Sequence, residues 1–129
     1  MAICDGVRES KTEAGVFHLK GVRQEMTADA FPFVPARLWL FLLLSSPRAG
    51  EFPGYLRVIN DRTDKAILFG YIEPRPIFGA DGGTLFRNAQ IACSFPEEGW
   101  YTVQVWFFQE VGSDVLKGEM PFYVAFKRD

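Results

Sequence analysis

Histidine, cysteine and clustered positive charge are all scarce in this 129-residue chain, which has one His, two Cys and 14 Lys/Arg against 16 Asp/Glu. The densest basic tract is Lys127-Arg128, and elsewhere the cations stand singly. Nucleic acid requires a continuous positive footprint that displaces counterions from phosphates, so it is excluded as the main partner. A polybasic membrane anchor is excluded on the same ground. The longest apolar run, Leu38 to Leu44, has seven residues, far short of the roughly twenty that a spanning helix needs. Met1 to Arg8 lacks a basic segment leading into an apolar one; it does not read as a secretory signal, and the expected compartment is the cytoplasm. Cys4 and Cys93 stand far apart with no Cys-x-x-Cys, and read as small apolar residues in strands rather than a disulfide or metal pair. His18 alone cannot furnish a zinc or cupin-type ligand set. A serine triad would have to recruit it, yet Ser10, Ser45, Ser46, Ser94 and Ser113 all lack a Gly-x-Ser-x-Gly context.

What the chain has in excess is phenylalanine, thirteen residues, within a composition that is 48% apolar, 16% aromatic and 23% charged. That balance is globular. The length fits one domain over 1–129, able to bury roughly 65–70% of its unfolded surface without disulfides or metal. No repeat, low-complexity tract or linker divides it.

The hydrophobic period is two. Between Trp100 and Gln109, Tyr101, Val103, Val105 and Phe107 share one face, while Trp100, Thr102, Gln104, Trp106 and Phe108 share the other. Such alternation with aromatic and β-branched residues predicts a strand. Leu85 to Cys93 reads the same way, with Leu85, Ala89, Ile91 and Cys93 on one side, Phe86, Asn88 and Gln90 on the other, and Arg87 misplaced on the apolar one. Further strands are expected at Ala2 to Val7, Gly15 to Val22, Tyr55 to Ile59 and Ala66 to Ile72. A last one runs from Val115 to Glu119 and on through Phe122 to Phe126, where Pro121 demands an edge position or a bulge. Phe95-Pro96-Glu97-Glu98-Gly99 is the clearest turn; it predicts antiparallel neighbours or a connection between two sheets. Turn signals every ten to fifteen residues or so indicate an all-β sandwich or barrel.

Ala2-Ile3-Cys4-Asp5-Gly6-Val7-Arg8-Glu9, followed by Phe17-His18-Leu19-Lys20-Gly21-Val22, resembles the opening of a family of small bacterial immunoglobulin-like β-sandwich proteins of unknown function. In that family a Cys-Asp-x-Val strand pairs with one ending Leu-x-Gly-Val. The turn Phe95-Pro96-x-x-Gly99-x-Tyr101 is similar too, and in immunoglobulin-like domains the tyrosine bonds back to the corner. The resemblance covers the first and last thirds of the chain. It implies a cytosolic, antiparallel immunoglobulin-like sandwich of about seven to nine strands, and it brings no catalytic residue with it.

Glycine-rich Gly79-Ala80-Asp81-Gly82-Gly83 lacks the Lys-Ser/Thr and the helix of a phosphate loop, and reads as a hairpin. Asn60, Asp61 and Asp64 crowd one turn; joined by Asp81 or Asp114 they could bind calcium as in a C2-like sandwich, though such residues also populate turns for their own backbone bonds. Glu97 and Glu98 are adjacent on a turn and would point apart, unlike a glycosidase pair. No enzyme and no cofactor are expected. Two surfaces remain. Leu38 to Leu44 is apolar on both faces, so Trp39, Phe41 and Leu43 are covered either by the loop Thr27 to Pro35, with Phe31 and Phe33, or by a second subunit in a homodimer. Thr102, Gln104 and Trp106, joined by Phe86, Asn88 and Gln90 where the two strands adjoin, suit a sugar or an extended peptide, or ordinary cross-strand pairing. The leading expectation is a non-enzymatic protein-interaction module, homodimeric or bound to another protein. The alternatives are a carbohydrate-binding face built on Asn88, Gln104 and Trp106, and the calcium site.

Overall fold

The computed structural model describes residues 1–109 and 111–128. Within them lie twelve β-strands and no helix: β1 (Ala2–Cys4), β2 (Gly6–Glu9), β3 (Phe17–Lys20), β4 (Glu25–Ala28), β5 (Trp39–Ser46), β6 (Gly50–Glu51), β7 (Gly54–Asn60), β8 (Lys65–Tyr71), β9 (Ile77–Phe78), β10 (Gly83–Gln90), β11 (Gly99–Phe107) and β12 (Val115–Phe126). One sheet has the order β1-β5-β10, a second has the order β4-β12-β11-β7-β8, and β2-β3 and β6-β9 form separate pairs. Neighbours are antiparallel except β4 on β12.

Both sheets feed one hydrophobic core. Ile3, Leu40 and Leu42 enter from the first; Leu56, Val58, Tyr101, Val103, Val105, Phe122 and Val124 enter from the second. The alternation expected along β11 is therefore realised. The Phe95–Gly99 turn takes the second of its two options, carrying the chain from β10 in one sheet to β11 in the other.

Tyr101 is fully buried, and its hydroxyl donates to the Glu97 carbonyl at 2.6 Å. The two glutamates point apart. Glu97 accepts from Asn60 Nδ2 at 3.0 Å and from Arg62 Nε at 2.5 Å. Glu98 accepts from the Phe126 amide at 2.8 Å and from both terminal nitrogens of Arg128 at 2.9 Å.

Pro121 sits opposite Thr102 in β12, and β4 flanks that strand only from Tyr123 onward. The Tyr123 amide donates to Gln24 on the β4 side. Two residues earlier the ring nitrogen of Pro121 points the same way, past the end of β4, so its missing N–H breaks no pairing. Arg87, the misfit, faces Leu42 on the outermost strand of its sheet. Its guanidinium escapes over that edge, donating to the Pro74 carbonyl at 2.6 Å and the Arg75 carbonyl at 3.2 Å.

Two expectations change. Ala2 to Val7 is not one strand: the chain leaves the first sheet at Asp5, whose carboxylate takes two hydrogen bonds from Arg23, at 2.6 and 2.8 Å. Gly21 lies against that carboxylate with φ +63°, where a Cβ would collide with it. The outer face of β5 is covered in part from within the chain, though not by the Thr27–Pro35 loop. The corner at Asp5 lets β2 and β3 fold across, so Phe17 packs 5.4 Å from Phe41 and 4.3 Å from Phe86. Phe31 and Phe33 lie instead against Phe126 and Phe95.

Candidate functional site

The outward face of the five-stranded sheet gathers a second group of aromatic residues. On β7, Tyr55 and Arg57 alternate with the core-facing Leu56 and Val58. The register sets Tyr55 between Trp106 and Tyr71, and Arg57 between Gln104 and Phe69. Tyr55 is the hub: its ring lies parallel to Trp106 at 6.3 Å and packs on Phe69 at 4.8 Å and on Phe108 at 5.0 Å. Tyr71 completes the group, 5.3 Å from Phe69. Tyr55 is buried, and its hydroxyl donates to Asp114 Oδ2 at 2.9 Å; desolvation and that carboxylate together raise the phenol pKa. The outer rings stay wet, Phe69 at 51% and Tyr71 at 60% exposure.

Next to the cluster, Trp106 borders a polar groove of about 330 Å³ lined by Arg57, Asp61, Asp64, Thr102, Gln104 and Glu119. Gln104 Oε1 accepts from Trp106 Nε1 at 3.0 Å, while its Nε2 donates to Glu119 at 3.3 Å. Thr102 Oγ1 donates to Asp61 at 2.7 Å. Among the described residues Arg57 has no ion-pair partner. At the far end of β11, Trp100 is exposed and packs edge-on against Tyr123 at 5.0 Å. Trp100 and Trp106 stand about 20 Å apart along the strand.

Of the residues expected to form a ligand face, Gln104 and Trp106 meet here and Asn88 does not. Asn88 lies on β10 in the other sheet, opposite Phe41, beside a cleft of about 220 Å³ that also borders Leu68, Gly70 and Tyr71 of β8. Trp39 and Phe41 are half-buried on the outer face of β5, and Leu43 alone of that trio is mostly exposed, at 56%. Tyr55, Phe69, Tyr71 and Phe108 were not singled out from sequence. Their period-two spacing was visible, but only the order β11-β7-β8 brings them together.

The Asx turn spends its side chains locally. Asn60 donates to Glu97 and accepts from the Arg62 amide, and Asp61 holds Thr102. Asp114 is engaged by Tyr55 at the opposite end of β7, and Asp81 belongs to the turn entering β10. Among the described residues no three His, Cys, Asp or Glu side chains are grouped to hold an ion. Gly79 to Gly82 is a closed turn, with the Gly82 amide on the Gly79 carbonyl at 2.9 Å. Both thiols are buried and unpaired; desolvation raises the Cys4 pKa and pushes Cys93 up to about 11, which suppresses the nucleophilic thiolate. Among the described residues no helix is long and apolar enough to cross a membrane. Compared with protein-family models, curated proteins and solved structures, the chain matches none.

Proposed function

We propose that this chain is a non-enzymatic protein-interaction module with an immunoglobulin-like β-sandwich fold, working in the cytoplasm. The order β1-β5-β10 parallels the A-B-E run of a variable-type domain, and β12-β11-β7-β8 parallels its G-F-C-C′ run. A tyrosine near the start of β11, bonded back to the corner before it, fits the same reading. The chain departs from antibody domains in lacking both the inter-sheet disulfide and a tryptophan on β7. Two unpaired thiols suit a reducing compartment.

The cluster of Tyr55, Phe69, Tyr71, Trp106 and Phe108 beside Arg57, with Phe69, Tyr71 and Phe108 exposed around the buried Tyr55, carries the binding reading. Aromatic rings and arginine are what protein interfaces concentrate, and two phenylalanines offer a ligand no hydrogen bond. Photo-crosslinking in cells tests it, with benzoylphenylalanine in place of Trp100 or Tyr71 on this face, or of Leu43 on the other sheet. Protein adducts are expected from the first two positions and not from Leu43. Adducts confined to Leu43, or none at all, would overturn the proposal.

The polar groove favours carbohydrate as a second reading, with Trp106 as the stacking ring and Gln104, Arg57 and Asp61 as hydrogen-bonding groups. Asn88 has no part in it. Titrating a glycan panel against tryptophan fluorescence should then give saturable quenching that Gln104→Ala weakens about tenfold; a flat response across the panel removes this reading.

A further inference from the structure

Among the described residues, every ion pair lies off the groove beside Trp106. Asp5, Asp29, Glu51, Glu97 and Glu98 each hold a cation. Asp61, Asp64 and Glu119 line the groove and hold none, and its one cation, Arg57, stands against those three carboxylates. Arg62, next to Asp61 in the chain, is turned to Glu97, and Lys65 does not line the groove. The neutral donors are engaged as well. Thr102 Oγ1 goes to Asp61, Trp106 Nε1 to Gln104 and Gln104 Nε2 to Glu119. The amides of Asp61 and Asp64 go to the carbonyls of Trp100 and Asn60. What this part of the sheet face offers a partner is negative charge and free acceptor oxygens, bordered by an indole ring that Gln104 holds in place.

We propose that the outward face of the five-stranded sheet docks an extended segment of another protein, with an arginine in the groove and an apolar side chain, next but one along that segment, on Phe69, Tyr71 and Phe108. This rests on the binding-face reading above and names the chemistry of the partner. Charge complementarity selects it: a cation entering the groove meets three unpaired carboxylates and one guanidinium. A guanidinium carries five donors and no acceptor, reaches more than one carboxylate, and can stack on tryptophan. Side chains next but one in an extended segment point the same way, about 7 Å apart. The groove adjoins the aromatic cluster at Trp106, which lies parallel to Tyr55, and at Arg57, which is paired with Phe69 across the sheet. One segment therefore covers both. Sugar hydroxyls and acidic side chains bring acceptors, and Arg57 is the one lining side chain whose donors are all free to meet them.

Panning phage-displayed random dodecapeptides on the immobilised intact chain should enrich arginine next but one to an aromatic or branched aliphatic residue. A selected peptide, titrated by tryptophan fluorescence, should bind about tenfold more weakly once citrulline replaces its arginine, because the shape stays and the charge goes. Asp64→Asn combined with Glu119→Gln should weaken it by a similar factor at an unchanged melting temperature. Asn tolerates the φ of +58° at residue 64, and Gln keeps an acceptor for Gln104. Arg57→Gln should tighten the peptide about twofold, whereas it would weaken a sugar or an acidic segment. Selected peptides without a basic residue, citrulline as good as arginine, or full binding by the double variant would each overturn the inference. If those peptides still lose affinity with Tyr71→Ala, the arginine falls and the binding face survives. No enrichment at all also overturns it, and the binding face then stands or falls on the adducts from Trp100 and Tyr71.

Discussion

Each residue of the turn before β11 ties down a different part of the fold. The Tyr101 hydroxyl pins the Glu97 carbonyl, while the Glu97 carboxylate holds the β7–β8 hairpin through Asn60 and Arg62. Tyr101→Phe removes the buried donor and leaves that carbonyl without its short bond, which should cost about 1–2 kcal/mol. A urea titration reads this as a lower midpoint at unchanged slope. Glu98 faces the other way, toward the end of β12. Hydrogen bonds from Arg128 and the Phe126 amide bring its pKa down to about 2. A depressed carboxylate pKa stabilises the fold above the unfolded value of about 4.3, and that contribution disappears as pH falls toward 2. Glu97 and Asp5 are shifted in the same direction by Arg62 and Arg23. The urea midpoint should thus fall steadily from pH 5 to pH 2.5 or so, and Glu98→Gln should flatten the slope. An unchanged slope in that variant would remove Glu98 from the account.

At the scale of elements, the corner between β1 and β2 decides what the first sheet exposes. Arg23 holds Asp5, Asp5 fills the space beside Gly21, and the hairpin that follows lays Phe17 over Phe41 and Phe86. The Cys-Asp and Leu-x-Gly-Val pieces of the opening thereby acquire a physical reason. Gly21→Ala forces a side chain into a left-handed backbone and displaces the carboxylate, so it should destabilise by about 2 kcal/mol or more. Gly6→Ala, with open space at its Cβ and an ordinary φ, should stay within about 0.5 kcal/mol. Equal losses in thermal melts would show that the corner is not what matters. Sequence alone made the apolar outer face of β5 legible but not its cover. Alternation tells which residues leave a sheet; it does not tell which distant hairpin returns over them. The same limit explains the ligand face. Gln104 and Trp106 share a strand face and were readable together, whereas Asn88 resembled them in chemistry and alternation yet belongs to the other sheet.

For the whole molecule, a hydrophobic period of two reveals the layers but not the order of strands within them. Neighbours in the sheets are seldom neighbours in the chain. β4 at residues 25–28 completes its sheet only on β12 at 123–126, and β5 waits for β10 at 83–90. The aromatic cluster is assembled the same way, from rings at 55, 69, 71, 106 and 108 that share a surface only after β7 has been enclosed by β8 and β11. Closing such loops costs entropy before any contact repays it, so refolding should be slow for a chain of this length, on the millisecond-to-second scale. Stopped-flow tryptophan fluorescence can follow it, because Trp106 of β11 stacks on Tyr55 of β7 and Trp100 of β11 packs edge-on against Tyr123 of β12. Lys65→Glu, outside the core, should refold at the wild-type rate. Val124→Ala should slow refolding if the parallel β4–β12 pair forms before the barrier, and should only speed unfolding if that pair closes last. The parallel pair joins the most distant segments and has the highest closure cost. The second outcome is therefore the expected one, and a refolding rate that falls in step with the lost stability would reverse the order of assembly.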